Sequence, residues 1–149
     1  MLNIYNTLTR QIESVVPIEQ GIIRLYTCGP TVYRNAHLGN LRSYLLADWI
    51  RRVLEYQGVQ VIHVKNITDV GHMRQEHLES GGDKVVLAAL AEGRTPREIA
   101  QIYTDAFHVD EAKLGILQAH HFPRATDHVS DMIEVVKKLL INGYAFQIE

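Results

Sequence analysis

Three side chains near the start of the sequence, Cys28, His37 and Asn40, are of types that bind metals or phosphates. His37 and Asn40 are three residues apart, so they share a face if a helix begins near His37. Both could then donate hydrogen bonds to one polyphosphate, and Gly39 would let that ligand approach the backbone because it has no Cβ. Two alternatives stay open from these residues alone. Gly39 and Asn40 also suit an ordinary helix start, and Cys28 also suits a small buried side chain.

These side chains stand at the junctions of a strand–helix–strand pattern. A β-rich run covers residues 22–28, an apolar helical face recurs over 41–57, and a second β-rich run covers 59–67. The short connections predict a βαβ unit with parallel strands, hence an α/β fold. Ligands of such sheets bind beyond the carboxyl ends of the strands, where Cys28 and Thr68 would meet.

The expected helix start adds to this rim. Its unpaired backbone N–H groups at residues 39–41 and its positive dipole end favour an anion such as a phosphate. Neither G-x-G-x-x-G nor G-x-x-x-x-G-K-[ST] occurs, so the pattern is neither a dinucleotide fingerprint nor a P-loop. On the helix itself, Asp48 and Arg51 are predicted to lie on the polar side, away from the apolar face.

The remainder of the chain predicts three more helices. Asp83 caps a helix over 84–91 after a polar loop over 68–82, and Pro96 opens another that runs to about residue 114. An irregular segment follows, and Thr126 or Asp127 then caps a helix over 129–142. That helix is predicted to turn five apolar residues toward a core and to be followed by the start of a strand at 144–149. The five residues are Met132, Ile133, Val136, Leu139 and Leu140.

Composition limits the class of protein. The 149 residues are 46% hydrophobic and 21% charged, which is typical of one globular domain, and the net charge of −2 gives no general basic field for nucleic acid. A single cysteine cannot form an internal disulfide, and the first ten residues do not resemble a signal peptide. We therefore expect a cytoplasmic protein without a membrane segment.

"CGPTVY", "HLGN" and "NITDV", in this order and spacing, resemble the N-terminal catalytic region of cysteinyl-tRNA synthetases, and "IYNTLTR" and "PRATDH" fit the same family. The resemblance implies a Rossmann-like, class I synthetase parallel-sheet half-domain with flanking helices. Residues 1–116 would form the first half of the catalytic domain, and 117–149 would begin a connective insertion, with a helix plus a strand, that continues beyond this chain. The implied activity is ATP-dependent activation of L-cysteine as cysteinyl-adenylate, followed by transfer to tRNA(Cys).

The resemblance also implies roles for particular residues. His37 and Asn40 would be catalytic and, with Gly39, would bind ATP, which acts with Mg²⁺. Cys28 would be one of four protein ligands to Zn²⁺, which binds the substrate thiolate. The amino-acid pocket would be lined by Gly29, Thr31 and Thr68. Asn40 replaces the final histidine of the usual H-I-G-H signature, and an amide donates hydrogen bonds without carrying a positive charge.

Other parts of the family pattern are absent from these residues. The second signature, K-M-S-K-S, does not occur, and the other three zinc ligands would lie downstream. We therefore expect the N-terminal portion of a longer protein, unable by itself to aminoacylate tRNA or to hold zinc tightly. Two alternatives are a related cysteine ligase that acts on a small amine, as in mycothiol synthesis, and a non-catalytic nucleotide-binding paralogue.

The remaining polar residues are predicted to be structural. His63 lies inside a strand, in the core or at an edge, and "PRATDH" is predicted to be a turn and helix cap without a catalytic role. Thr68 and Asp69 could equally be a strand-ending cap. Lysine and arginine side chains on the later helices are predicted to lie on solvated faces, namely Lys84, Arg97, Lys137 and Lys138.

Overall fold

The computed structural model describes residues 2–70 and 83–148. The predicted loop at 68–82, with His72 and His77, therefore lies largely outside the described residues. The strands are β1 (Asn3–Asn6), β2 (Gln11–Ser14), β3 (Ile22–Thr27) and β4 (Gln60–Lys65). The helices are α1 (Leu38–Tyr56), α2 (Lys84–Glu92), α3 (Pro96–Lys113) and α4 (Val129–Ile141), with a 3₁₀ turn at Ala125–His128 before α4.

The centre of the fold is the predicted βαβ unit. β3 and β4 pair in parallel, from Ile22 opposite Gln60 to Thr27 opposite Lys65, and α1 connects them. Inward-facing residues alternate along β4, where Val61, His63 and Lys65 are buried. The parallel pair and its helix confirm the α/β prediction, and His63 lies in the core.

A third segment lies beside β4 on the edge away from β3. The Lys65 amide donates to the His121 carbonyl at 3.0 Å and the Ile67 amide donates to the Pro123 carbonyl at 2.8 Å. The bridges Val64–His121 and Ile67–Arg124 are parallel. The segment is irregular as predicted, because Pro123 has no N–H to continue a ladder. Its backbone nevertheless extends the sheet, and a domain boundary at residue 117 stays a prediction.

The buried face of α1 differs from the predicted one. Asp48 and Arg51 are buried, with 4% and 9% of their surfaces exposed, whereas Trp49 is 59% exposed. The Asp48 carboxylate accepts a hydrogen bond from the Leu117 amide at 2.8 Å, and Arg51 donates to the Gln118 carbonyl at 2.9 Å. The prediction that both polar residues face outward was wrong, because hydrogen bonds to the backbone of residues 117 and 118 compensate their burial.

Side-chain caps stabilise the starts of α2 and α3. Asp83 caps α2 through hydrogen bonds from the amides of Val85 and Val86, as predicted. Thr95 and Glu98 form a capping box at the start of α3, with Pro96 in its first turn. The apolar core joins α1 to α2 and α3. Its buried residues are Val32, Tyr44, Ile67, Val85, Ala89, Ile99, Ala100, Phe107 and Ile116.

The predictions for α4 need correction. Neither Thr126 nor Asp127 caps this helix; its N-cap is His128, which makes no side-chain capping bond. None of its residues is buried, and the five that were predicted to face a core are 40–51% exposed. No strand follows at 144–148. An apolar stripe identifies one face of a helix but does not supply a partner for it within the described residues.

The sequence did not predict the N-terminal hairpin. β1 and β2 pair antiparallel, with Asn3 opposite Ser14 and Asn6 opposite Gln11. Its strands are too polar and short to show an apolar alternation. Among the described helices, none combines the length and apolarity needed to cross a membrane.

Candidate functional site

A cavity of about 320 Å³ opens where β3 ends and α1 begins. Five of the residues singled out from the sequence line it, whereas Gly39 and Thr68 do not. The five are Cys28, Gly29, Thr31, His37 and Asn40. The other lining residues are Pro30, Tyr33, Arg34, Asn35, Ala36, Tyr44, Lys84, Tyr103 and Phe107.

His37 and Asn40 form a reciprocal cap at the start of α1. The Nδ1 atom of His37 accepts hydrogen bonds from the amides of Gly39 and Asn40 at 3.1 and 3.3 Å. The side-chain oxygen of Asn40 accepts from the His37 amide at 3.2 Å. Since Nδ1 is an acceptor, a neutral His37 ring carries its proton on Nε2, and the Asn40 amide group retains its two N–H donors.

The same cap uses the backbone donors that were predicted to be available for an anion. The amides of Gly39 and Asn40 donate to the His37 ring, and the Leu41 amide donates to the His37 carbonyl at 3.1 Å. The prediction that these N–H groups are unpaired was wrong, because a histidine at the N-cap position satisfies them. An anion at this helix start would therefore need side-chain donors in place of these three amides.

Gly29 has a packing role that the sequence did not indicate. A Cβ at this position would lie 1.8 Å from the Asn66 carbonyl oxygen and 3.1 Å from Lys65 Cγ. The Gly29 amide also donates to the Asn66 side-chain oxygen at 2.9 Å. The end of β3 therefore approaches the end of β4 more closely than any side chain permits.

Thr31 and Thr68 continue the pairing of the two strands. They form a parallel bridge, with the Thr68 amide donating to the Pro30 carbonyl at 2.9 Å and the Val32 amide donating to the Thr68 carbonyl at 3.1 Å. The Thr68 hydroxyl accepts from the Asn66 amide group at 3.0 Å. These bonds bring Thr31 to the cavity and turn Thr68 toward Asn66.

Asp69 fastens the strand end to the third segment. Its carboxylate accepts hydrogen bonds from the Thr126 amide at 3.0 Å and from the Thr126 hydroxyl at 2.6 Å. Arg124 lies 3.9 Å from the same carboxylate. Asp69 is buried, so these contacts explain why both the "NITDV" and "PRATDH" stretches matter to the fold.

Cys28 is exposed, which excludes the buried-side-chain alternative. Its thiol has the Gly29 carbonyl within 3.5 Å. Among residues 2–70 and 83–148, no group of three or more histidine, cysteine, aspartate or glutamate side chains could hold a metal ion. The described residues alone therefore do not fit a zinc site, since such a site needs three or four protein ligands.

A buried ion pair lies behind the cavity. Lys65, which is fully buried, pairs with Glu111 of α3, and its ammonium group lies 4.9 Å from the centre of the Tyr44 ring. Burial raises the pKa of Tyr44 to about 12, and the charges of Cys28 and Glu111 add to the shift. Tyr44 therefore stays a neutral phenol. A lysine inside a β-rich run gave no sign of this burial.

Two cations of the cavity were not recognised from the sequence. Lys84 was predicted to lie on a solvated helix face, but it lines the cavity with its ammonium group 5.4 Å from the centre of the Tyr33 ring. The Arg34 guanidinium lies 5.1 Å from the centre of the same ring. The Lys84 prediction failed because the packing of α2 against the loop after β3 is a tertiary contact with no local signal.

Comparisons with known proteins identify the family of this chain. Residues 14–149 match the model of the family described as tRNA synthetases class I (C) catalytic domain. The chain belongs to that family, as the sequence motifs predicted. The parallel β3–β4 pair with its flanking helices is the α/β arrangement expected of a class I synthetase domain.

Curated relatives resemble almost the whole chain. It is 47% identical to a cysteine–tRNA ligase of Treponema pallidum subsp. pallidum, over 97% of this chain and 28% of that protein. A cysteine–tRNA ligase of Zymomonas mobilis subsp. mobilis is 43% identical over 97% of this chain and 28% of its own length. A cysteine–tRNA ligase of Latilactobacillus sakei subsp. sakei is 43% identical over 100% of this chain and 30% of its own length. The chain thus spans under a third of the length of these relatives.

Proposed function

We propose that this chain contributes the adenylation site of an enzyme that activates L-cysteine with ATP and transfers it to tRNA(Cys). The observation that carries the proposal is that Cys28 and the His37–Asn40 cap line one cavity at the end of β3. In support, the relatives named above are cysteine–tRNA ligases. The same relatives favour tRNA over a small amine as acceptor, and an enzyme over a non-catalytic paralogue.

The chemistry of the site follows from its donors. In adenylation the carboxylate of cysteine attacks the α-phosphorus of ATP, the P–O bond to pyrophosphate breaks, and negative charge grows on the phosphate oxygens. The Nε2–H of His37 and the side-chain N–H groups of Asn40 would donate to those oxygens. Their orientation is fixed in advance by the cap, which is the condition for electrostatic stabilisation of a transition state.

The amino acid would lie beside Cys28, Gly29 and Thr31, with Thr68 as a further proposed contact. Cys28 remains our proposed zinc ligand, and its companions would have to come from outside the described residues. Zinc would supply a soft Lewis acid that prefers a thiolate to a hydroxyl. ATP would enter with Mg²⁺. An exposed, unpaired thiol suits a reducing compartment, so we propose the cytoplasm.

The test separates the cap from the chemistry of His37. In the complete protein that carries this chain, His37→Asn keeps an N-cap acceptor, whereas His37→Ala removes both the cap and the Nε2–H donor. We expect His37→Asn to melt like the parent but to lose about 100-fold in cysteine-dependent ATP–pyrophosphate exchange. His37→Ala should lose the same activity and melt lower. Parental exchange by His37→Asn would overturn the role of His37.

The 149 residues alone are expected to be inactive and not to retain zinc. Pyrophosphate exchange and zinc content measured on the isolated chain test this expectation. Exchange comparable to that of the complete protein would contradict it. Charging of tRNA(Cys), as opposed to modification of a small amine, is tested by offering both acceptors to the complete protein.

A further inference from the structure

The cavity contains cations that the proposed function leaves without a role. Building on that function, we propose that Arg34 and Lys84 bind the triphosphate of ATP and its pyrophosphate product, beside His37 and Asn40. The occupant is therefore a small polyphosphate anion and not the RNA backbone. Three observations carry this assignment.

The first observation is that three backbone donors at the helix start are already engaged. The amides of Gly39, Asn40 and Leu41 are all hydrogen-bonded to His37. The helix dipole persists, but its usual contact groups at phosphate sites are engaged. Side-chain donors must take their place.

The second observation is the charge of the cavity. Its described lining includes the guanidinium of Arg34 and the ammonium group of Lys84 and no aspartate or glutamate. Neither cation forms an ion pair with a carboxylate of the described residues, unlike Arg51, Arg52 and Lys65. The described lining therefore carries positive charge in a chain whose net charge is −2.

The third observation is how the two cations are placed. Arg34 and Lys84 lie 5.1 and 5.4 Å from the centre of one ring, that of Tyr33. Cation–π attraction favours each contact, but two like charges beside one ring also repel each other. An anion that contacts both cations would reduce that repulsion, and a polyphosphate has enough oxygens to do so.

The side-chain chemistry favours a polyphosphate. A guanidinium forms two parallel hydrogen bonds to phosphate oxygens, and an ammonium group acts as a point charge beside the next phosphate. Asn40 carries no charge, so the charge of the triphosphate has to be balanced by Mg²⁺ and by other residues. Arg34 and Lys84 are the cations of the described cavity lining that can do this.

The experiment measures pyrophosphate exchange by the complete protein with Arg34→Ala and Lys84→Ala. We expect KM for ATP and for pyrophosphate to rise about ten-fold, the size of one charge-assisted contact, while KM for cysteine is unchanged. Lys84→Arg should restore KM for ATP to within about three-fold of the parent. The exposed residues Arg97 and Lys138 provide charge-matched controls through Arg97→Ala and Lys138→Ala, which should behave like the parent.

Two results of pyrophosphate exchange would overturn the inference, namely an unchanged KM for ATP and an equal rise in KM for ATP and for cysteine. So would a rise confined to KM for tRNA, measured separately by aminoacylation, which would point to the RNA backbone. If the parent shows no cysteine-dependent exchange, the proposed function fails but the inference is still decided by calorimetric binding of tripolyphosphate. A loss of about ten-fold in the affinity of Arg34→Ala and Lys84→Ala, with the controls unaffected, supports the anion site. Equal binding by all variants overturns it.

Discussion

Charged residues line the cavity and are also buried in the core, but in opposite circumstances. On the cavity side, Arg34 and Lys84 have no carboxylate partner among the described residues. On the core side, Lys65 pairs with Glu111 and is fully enclosed. Burial of a charge is tolerated where partners are built into the fold, whereas the cavity cations, without such partners in the described lining, are the basis of the proposed anion site.

Charged residues of α1 also hold this helix to the chain after α3. Within α1, Asp48 accepts from Arg52 at 2.6 Å and Arg51 pairs with Glu55 at 2.7 Å. Arg52 also donates to the Gly115 carbonyl at 2.6 Å, which adds to the bonds of Asp48 and Arg51 to residues 117 and 118. We therefore expect substitutions of the buried charges to alter stability and substitutions of the cavity charges to alter activity.

The largest effect is expected for the buried ion pair. Lys65→Ala leaves the Glu111 carboxylate buried without its partner, which should lower the free energy of unfolding by about 3–5 kcal/mol in urea denaturation at neutral pH. The double variant Lys65→Met with Glu111→Leu should recover most of that loss, because apolar side chains need no compensating charge. A small effect of Lys65→Ala would contradict this prediction, since it would mean that Lys65 is not enclosed.

The second effect concerns pH and His63. Burial is the main cause that lowers the pKa of His63 to about 4, and the charges of Lys65, Arg51 and His120 add to it while Asp48 opposes it. Its Nε2 contacts the Thr27 hydroxyl at 2.8 Å and its Nδ1 has no hydrogen-bond partner among the described residues. The folded chain therefore keeps the ring neutral at pH values where the unfolded chain protonates it.

The direction in which stability changes with pH follows from proton binding. Between pH about 6.5 and about 4 the unfolded state binds more protons at this residue, so lowering the pH through that window should cost about 2–3 kcal/mol of stability. Burial raises the pKa of Glu111, which acts in the opposite direction, so the difference between the parent and His63→Gln isolates the histidine. His128→Gln, at an exposed histidine, is the control. Parallel pH profiles of the parent and His63→Gln would refute the prediction.

A smaller effect distinguishes two glycines. Gly29→Ala sets a Cβ against the Asn66 backbone oxygen, which cannot move without the strand, and should cost about 1–3 kcal/mol in urea denaturation. Gly39→Ala would instead meet the His37 ring at 2.9 Å, a side chain that can rotate. Because alanine favours helices, Gly39→Ala should preserve stability and reduce pyrophosphate exchange. Equal stability losses in both would contradict the distinction.

The smallest effect is expected on α4. Val136 is 51% exposed, so Val136→Ala should change the free energy of unfolding of the 149-residue chain by less than about 0.5 kcal/mol. Ile99→Ala in the core is the reference and should cost about 2–5 kcal/mol. A loss at Val136 approaching that at Ile99 would show that this helix face is covered.

Much of the local structure was predictable because it depends on neighbouring residues. The β-rich runs at 22–28 and 59–67 identified β3 and β4, and the cap Asp83 and the helix-opening Pro96 identified the starts of α2 and α3. The motif residues Cys28 and His37 could be assigned to one site because the carboxyl ends of parallel strands face the same rim. Each of these inferences uses a periodicity or spacing that is written in a short stretch of sequence.

Other features depended on contacts between distant stretches. The pairing of residues 120–125 with β4 joins positions more than fifty residues apart. Pro123 makes this stretch look unlike a strand in the sequence. The exposure of α4 could not be foreseen, since an apolar stripe is the same whether or not a partner covers it. Lys84 reaches the cavity only because α2 packs beside the loop after β3.

The amino-acid sequence was therefore enough to identify the strand–helix–strand unit, its family and the rim where Cys28, His37 and Asn40 lie. Which charges are enclosed and which are open depends on the tertiary structure. Lys65 and Lys84 are the same residue type but have different surroundings. Lys65 is stabilised by Glu111 from another helix, and Lys84 faces a cavity with no described carboxylate in its lining. Solvation and partners set the role of a charge, and both are properties of the folded chain.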